Sequence, residues 1–241
     1  MRKIIMILVL LISSYSYAQC GWFCTYPYPT NNDLNSISIL DSTTAIAVGN
    51  DAEVLITTNS GINWMNKLSC SKDKINAVQF VNQSTCYAGG TDFSSRGIIY
   101  KTTNQGANWS KRIVSEYISI NSISFVNDNF GFAAGGGGAN LFRTTNGGVN
   151  WSYIVNSMNI NIKSVCFIDP ITGYAGGNVG DSTKLYKSTN GGLNWNIIYS
   201  LSYTVFYSLE IVDSNTAFFQ EGRELVHFSI LQYYIKQQMV A

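Results

Sequence analysis

The chain has 241 residues, 46% of them hydrophobic and 12% charged, with a formal net charge of +1. That composition excludes a disordered chain, a nucleic-acid footprint and a polybasic membrane patch, and it leaves Asn, Ser and Thr to clothe the surface. A single histidine, His227, and the lack of any CxxC pair argue against a multi-histidine metal site or a zinc ribbon, so neither metal nor cofactor is expected.

From the N-terminus, Arg2 and Lys3 precede nine apolar residues, Ile4–Ile12, and the small residues Ser16 and Ala18 follow; residues 1–18 therefore read as a cleavable secretory signal peptide. Nine apolar residues fall short of the about 20 that cross a bilayer. The mature protein is thus expected in the periplasm or outside the cell, with no membrane span after cleavage. Cys20 raises the question of lipidation, but Gln19 stands where a lipobox carries a small residue. Five cysteines (Cys20, Cys24, Cys70, Cys86, Cys166) leave at least one unpaired within the chain, and Cys86 and Cys166 lie in strand-like runs that suit a small buried hydrophobe.

The rest of the chain is a repeat. TTNSGINW (57–64) returns as TTNQGANW (102–109), TTNGGVNW (144–151) and STNGGLNW (188–195), with the tryptophans 45, 42 and 44 residues apart. That period is the length of one four-stranded propeller blade. Asn59, Asn104, Asn146 and Asn190, with Gly61, Gly106, Gly148 and Gly192, read as tight-turn residues, because the turn between two strands needs positive φ and an Asn side chain can bond the backbone ahead of it. Trp64, Trp109, Trp151 and Trp195 read as plates filling the wedge between blades.

The expected fold is an all-β propeller of antiparallel four-stranded blades: four complete blades at about 34–73, 74–117, 118–159 and 160–203, and a partial fifth at 204–220. In residues 19–33, Trp22 stands where a fourth-strand Trp would, so this strand could complete the last blade and close the ring. The second strand of each blade ends in small residues, such as Ala88-Gly89-Gly90 and Ala175-Gly176-Gly177, that let backbones approach near the axis.

Residues 221–241 diverge. Read from the third base of the Tyr233 codon, the ending can encode Leu-Tyr-Lys-Thr-Thr-Asn-Gly-Gly, which nearly repeats LYKSTNGG (185–192) 48 codons later, so the tail is expected to be partly an out-of-frame reading of a longer propeller. The other reading is a divergent third strand over 224–235, with Val226, Phe228 and Ile230 alternating.

The pattern Ser/Thr-X-Asn-X-Gly-X-Asn-Trp resembles the Asp-box, the bacterial neuraminidase repeat, with Asn for the usual Asp. The fuller repeat, as in SVCFIDPITGYAGGNVGDSTKLYKSTNGGLNW (164–195), resembles the photosystem II stability and assembly factor type of propeller, which is common among secreted bacterial proteins. The resemblance covers roughly residues 22–220. It implies a propeller in which the box is a structural hairpin away from the ligand face, and it names no partner for this chain.

In such blades the turns joining strands 1 and 2 and the Asn-Gly turns lie at one end. The 2–3 loops (50–53, 91–96, 135–140, 178–184) and the crossings between blades (69–73, 115–117, 201–203) lie at the other, and these vary. Variable loops on a rigid scaffold are where binding resides, so Asp51, Asp92, Arg96, Glu116, Tyr117, Asp181 and Tyr203 form the candidate ligand face, for a protein or glycan partner. A sialidase would need an arginine cluster, yet Arg143 occupies the strand position of Lys101 and Lys187. The expectation is a secreted, non-catalytic binding or scaffold module. The alternative is a carbohydrate-active hydrolase, sialidase-like or another glycosidase, using acids on the same loop face.

Overall fold

Each Asn-Gly box sits between two strand-forming runs, and that local rule builds the architecture of the computed structural model. The structure describes residues 29–67, 71–138, 140–155, 158–211, 216–221 and 224–229. The expected signal peptide, the strand expected at Trp22, Cys20, Cys24, Cys70 and the end of the tail lie outside them.

The first sheet contains β1 (Leu34–Ile39), β2 (Ala45–Gly49), β3 (Val54–Thr57) and the short β4 (Met65–Asn66), with one 3-10 turn at Asn50–Ala52. The second contains β5 (Lys74–Phe80), β6 (Cys86–Thr91), β7 (Gly97–Thr102) and β8 (Ser110–Ser115). The third contains β9 (Ile120–Phe125), β10 (Gly131–Gly135), β11 (Asn140–Thr144) and β12 (Ser152–Ile154). The fourth contains β13 (Asn161–Phe167), β14 (Gly173–Val179), β15 (Ser182–Ser188) and β16 (Asn196–Ser202). The fifth contains β17 (Phe206–Ile211), β18 (Thr216–Glu221) and β19 (Glu224–Ser229).

Strands within each sheet pair in chain order and antiparallel, so every sheet is one blade of a propeller. The fifth sheet runs past residue 220, because β19 pairs with β18 from Glu221↔Glu224 to Thr216↔Ser229.

The core lies between blades. Ile46, Val48 and Ile56 of the first blade pack with Ile75, Cys86 and Ile98 of the second. Tyr87 of the second blade stacks on Phe125 of the third, with ring centroids 3.7 Å apart, and Phe132 of the third stacks on Phe167 of the fourth at 3.5 Å. Trp151 and Trp195 meet those same phenylalanines edge-on, at 5.9 Å in both cases, and Trp109 packs on the cluster between the first two blades, so these three box tryptophans fill inter-blade wedges, whereas Trp64 of the first blade belongs to no such cluster. Cys86 is fully buried in this packing, and burial pushes its thiol up, out of the reactive range.

The strand nearest the axis is the first of each blade: β1 packs on β5, β5 on β9, β9 on β13 and β13 on β17. The small residues of the second strands serve two contacts: a Cβ on Gly90 would stand 2.1 Å from Lys74 O and one on Gly177 2.1 Å from Asn161 O, the close backbone approach to the axial strand that was expected, and other glycines face the next blade. A Cβ on Gly89 would stand 2.8 Å from Ile120 Cγ2, and one on Gly176 would stand 2.0 Å from Phe206 Cζ, so these glycines seat the next blade's first strand.

An inner strand has one edge without a ladder partner, and the structure satisfies that edge with side chains from the preceding blade. Ser36 and Ser38 Oγ accept from Val78 N and Phe80 N (3.2 and 3.0 Å), and Ser122 and Ser124 Oγ accept from Val165 N and Phe167 N (3.1 and 2.9 Å). Gln79 takes both groups of Phe125, accepting from its N–H at 2.7 Å and donating to its carbonyl at 3.1 Å.

Each first strand also carries a bulge that inserts one extra residue: Asn35, Asn76, Asn121, Lys163 or Tyr207. The three asparagines donate to the next blade's carbonyls, Ile75 O, Ile120 O and Ile162 O, at 2.8, 2.8 and 3.2 Å.

Candidate functional site

The two ends of the molecule differ in how their residues are committed. At the turn end, each box closes on one hydroxyl. Thr57, Thr102, Thr144 and Ser188 donate to the Asn side-chain oxygen two residues on, at 2.9–3.1 Å, while accepting from the Gly N–H four residues on. The same Asn oxygens accept from Asn63, Asn108, Asn150 and Asn194 N–H, each at 2.9 Å.

Ser60 and Gln105 (φ 59° and 54°) adopt the left-handed conformation that Gly147 and Gly191 take in the other two boxes, and the glycine after each also has positive φ. The Gly61, Gly106, Gly148 and Gly192 positions thus close turns, and Trp64, Trp109, Trp151 and Trp195 pack behind them. Trp195 Nε1 donates to Gly192 O at 2.8 Å. Tyr87 OH and Lys101 Nζ both donate to Gly147 O (2.9 and 2.7 Å), which fastens the third blade's box to the second blade. This end is spent on structure.

At the opposite end, the 2–3 loops meet the crossings. Ala52 N donates to Asp73 O at 2.6 Å and Thr204 N to Asp181 O at 3.2 Å, and the Thr91 and Ser119 hydroxyls bond each other. The seven candidate residues fall into three groups around this rim. Asp51 sits at the first blade's loop with φ 55°. Asp92, Arg96, Glu116 and Tyr117 gather between the second and third blades, and Asp181 and Tyr203 between the fourth and fifth.

Asp92 corrects the sequence reading, since it is buried and fully engaged. Its Oδ2 accepts from Arg96 Nε and Nη2 at 2.8 and 2.7 Å, and its Oδ1 accepts from Ser94 N and Arg96 N, both at 2.9 Å. Burial would raise its carboxyl, but these bonds, led by Arg96, outweigh burial and hold it below the ordinary carboxylate range. Asp92 and Arg96 therefore shape a turn. The 178–184 segment also differs from expectation: β14 and β15 pair up to Val179↔Ser182, leaving Gly180-Asp181 as a two-residue hairpin.

Two buried carboxylates at this end escaped the sequence reading. Asp73 Oδ2 accepts from Tyr100 OH at 2.5 Å and Lys111 Nζ at 2.6 Å; burial opposes its charge, yet Lys111 and Tyr100 win and keep the carboxyl below its usual range. Glu53 accepts from Asn32 and Asn66 side-chain amides at 2.7 and 2.6 Å. Asp73 ties its crossing to β7 and β8, and Glu53 ties its loop to β4 and to Asn32. Asp51, Glu116 and Asp181 are the exposed acids of the candidate set.

Large aromatics stand in solvent on the same rim. Tyr117 is 92% exposed, Tyr203 90% and Phe93 78%, and Phe93 was not among the expected residues. Tyr203 also holds φ 62°, a conformation that an aromatic residue rarely adopts. Between the first strands lies an axial cleft of about 520 Å3, lined in part by Asn76, Asn121, Lys163, Tyr207 and Glu210, and by none of the seven candidate residues. Among the described residues there is no cluster of three or more metal-ligating side chains, and no helix is long and apolar enough to cross a membrane.

No protein-family model matches the chain, and no curated protein matches it. Solved structures do match in fold. The GH74 enzyme of Niastella koreensis superposes with a TM-score of 0.65 at 20% identity, over 79% of this chain and 33% of that one. The WD40 propeller domain of Doa1 superposes with a TM-score of 0.58 at 12% identity, over 84% of this chain and 67% of that one. YCF48 bound to a D1 peptide matches at TM-score 0.47 and 13% identity, over 84% of this chain and 93% of that one. The chain is a β-propeller by its strand topology and by the first two likenesses, and it spans about a third of the GH74 enzyme.

Proposed function

We propose that the protein is a non-catalytic binding module that engages a protein or glycan partner through the rim formed by its 2–3 loops and blade crossings. The observation that carries this reading is the display of Tyr117, Tyr203 and Phe93 at that end, each more than three-quarters exposed. Amphipathic aromatic rings held in water on a rigid scaffold are the side chains that anchor partners, because they bring a large contact area at low entropic cost. Tyr203 adds backbone strain with no packing in return, which fits selection for contact and not for stability. The box end also shows apolar side chains, Ile62, Val149 and Leu193, but they are aliphatic and hold one repeat position in three of the four boxes, the second box having Ala107 there.

Peptide and glycan arrays probed with the mature protein and with the Tyr117→Ala/Tyr203→Ala variant test this reading. Array binding that the variant loses supports it; binding that the variant keeps, or hydrolysis by the wild type, refutes it. The second reading is a glycosidase. It draws on Asp51, Glu116 and Asp181, which are exposed on this rim, and on the known use of carboxylate pairs in glycoside hydrolysis. Turnover of oligosaccharides that Asp181→Asn or Glu116→Gln abolishes would establish it. The apolar segment and small residues of positions 1–18 support a location outside the cytoplasm, and N-terminal sequencing of the exported form checks that.

A further inference from the structure

The first strands repeat one device in three blades and then abandon it. In blades one to three the bulged residue is an asparagine whose amide donates to the carbonyl just before the next blade's bulge: Asn35 to Ile75 O, Asn76 to Ile120 O and Asn121 to Ile162 O. The fourth and fifth bulges carry Lys163 and Tyr207 instead. The equivalent acceptor for Lys163 is Phe206 O, yet its ammonium makes no hydrogen bond or ion pair among the described residues. Both side chains are exposed, Tyr207 at 55%.

Lys163 and Tyr207 line the axial cleft of about 520 Å3, together with Asn76, Asn121 and Glu210. That is the volume of a small-molecule site. Asn76 and Asn121 commit their amide N–H groups to the neighbouring blade, which leaves their side-chain oxygens without a partner among the described residues. Glu210, when ionised, is an acceptor alone. It lies three residues past the bulge of its strand, about 10 Å along the strand toward the box end, so the one cation of the lining stands nearer the crossing end than the one anion.

We propose that the axial cleft binds a small hydroxylated carboxylate, a sugar acid. A single ammonium balances a single carboxylate. The other groups without partners are acceptors, so they call for hydroxyl donors on the ligand, which a bare inorganic anion or acetate does not have. A half-exposed tyrosine ring gives the C–H face of a pyranose a surface to lie on. Lys163 takes the carboxylate in a charge-assisted bond, and Asn76, Asn121 and Glu210 accept from the hydroxyls. Neither Tyr117 nor Tyr203 lines this cleft, so the site is separate from the aromatic rim.

Isothermal titration of the full mature chain tests this, with D-glucuronate and D-galacturonate as probes and with D-glucose and acetate, each carrying only half of the chemistry. The expected result is saturable one-to-one binding of at least one uronate, with glucose and acetate each weaker by about tenfold or more, the loss that goes with a missing charge-assisted bond or missing hydroxyl contacts. Lys163→Asn gives the fourth blade the residue that the first three carry, with Phe206 O as its acceptor, so it should keep the wild-type near-ultraviolet circular dichroism and lose uronate affinity by about tenfold or more. Tyr207→Ala, at an exposed position, is the second variant and should also weaken binding, whereas Tyr117→Ala/Tyr203→Ala should leave it unchanged. A wild type with no saturable uronate binding overturns the proposal, as does acetate or glucose bound as tightly as the uronate. Uronate binding that either folded cleft variant retains in full also overturns it, and loss in the Tyr117→Ala/Tyr203→Ala variant alone moves the site to the rim.

Discussion

Thr102 Oγ1 shows how much one side-chain atom can hold. It donates to Asn104 Oδ1 at 2.9 Å while accepting from Gly106 N at 3.0 Å and Asn104 N at 3.3 Å. Thr102→Val keeps the shape and strands two N–H groups, which should cost about 1–3 kcal/mol in chemical denaturation. Trp151→Ala opens a void beside Phe125 and should cost about 3–5 kcal/mol. Asp73 ties Tyr100 to Lys111 with its carboxyl held below the ordinary value. Its folded pKa lies beneath its unfolded one, so the stability it contributes is present above pH about 4 and drains away as pH falls through the folded value. Asp73→Asn should therefore melt lower at neutral pH, and its deficit should shrink on acidification below that range. The box residues were legible because their chemistry is local: Asn, Gly and Trp at fixed spacing specify turn and wedge. Asp92 was placed on the ligand face although its carboxyl is buried against Arg96, four residues on; an Asp followed at that spacing by Arg, with Ser94 between, is the signal that was available.

At the scale of the element, the propeller is held by joints as much as by sheets. Four first strands hand their exposed edge to side chains of the blade before, and Gln79 makes the two-point version of that contact. Gln79→Leu leaves the Phe125 N–H and carbonyl without it, and native-state hydrogen exchange at Phe125 should speed by tenfold or more while the far joint at Phe167 keeps its protection. Blade number and strand order could be read from the period alone, since each repeat is one complete antiparallel unit. The bulges could not, because Asn35, Asn76 and Asn121 stand among many other asparagines and only the pairing register marks them as the extra residue. Third strands were plain where a box followed; where none did, a third strand over 224–235 was only the second of two readings of the tail, and β19 pairs with β18 across the first residues of that span.

For the molecule as a whole, repetition divides labour between the ends. Box chemistry consumes the polar groups of one end in the first four blades, and the crossing end varies from blade to blade, which is why loop position alone pointed to Tyr117 and Tyr203. Phe93 went unnoticed because exposure is a property of the folded loop and not of its composition. The measurement that tests this division most directly pairs two double variants against whichever array ligand the wild type binds: Tyr117→Ala/Tyr203→Ala at the crossing end and Val149→Ala/Leu193→Ala at the box end. All four side chains are at least half exposed, so neither pair should shift stability by more than about 0.5 kcal/mol per substitution. The account predicts that the crossing-end pair weakens binding at least tenfold, about 1.4 kcal/mol, and that the box-end pair leaves it unchanged. Loss of binding in the box-end pair with full retention in the crossing-end pair would contradict it.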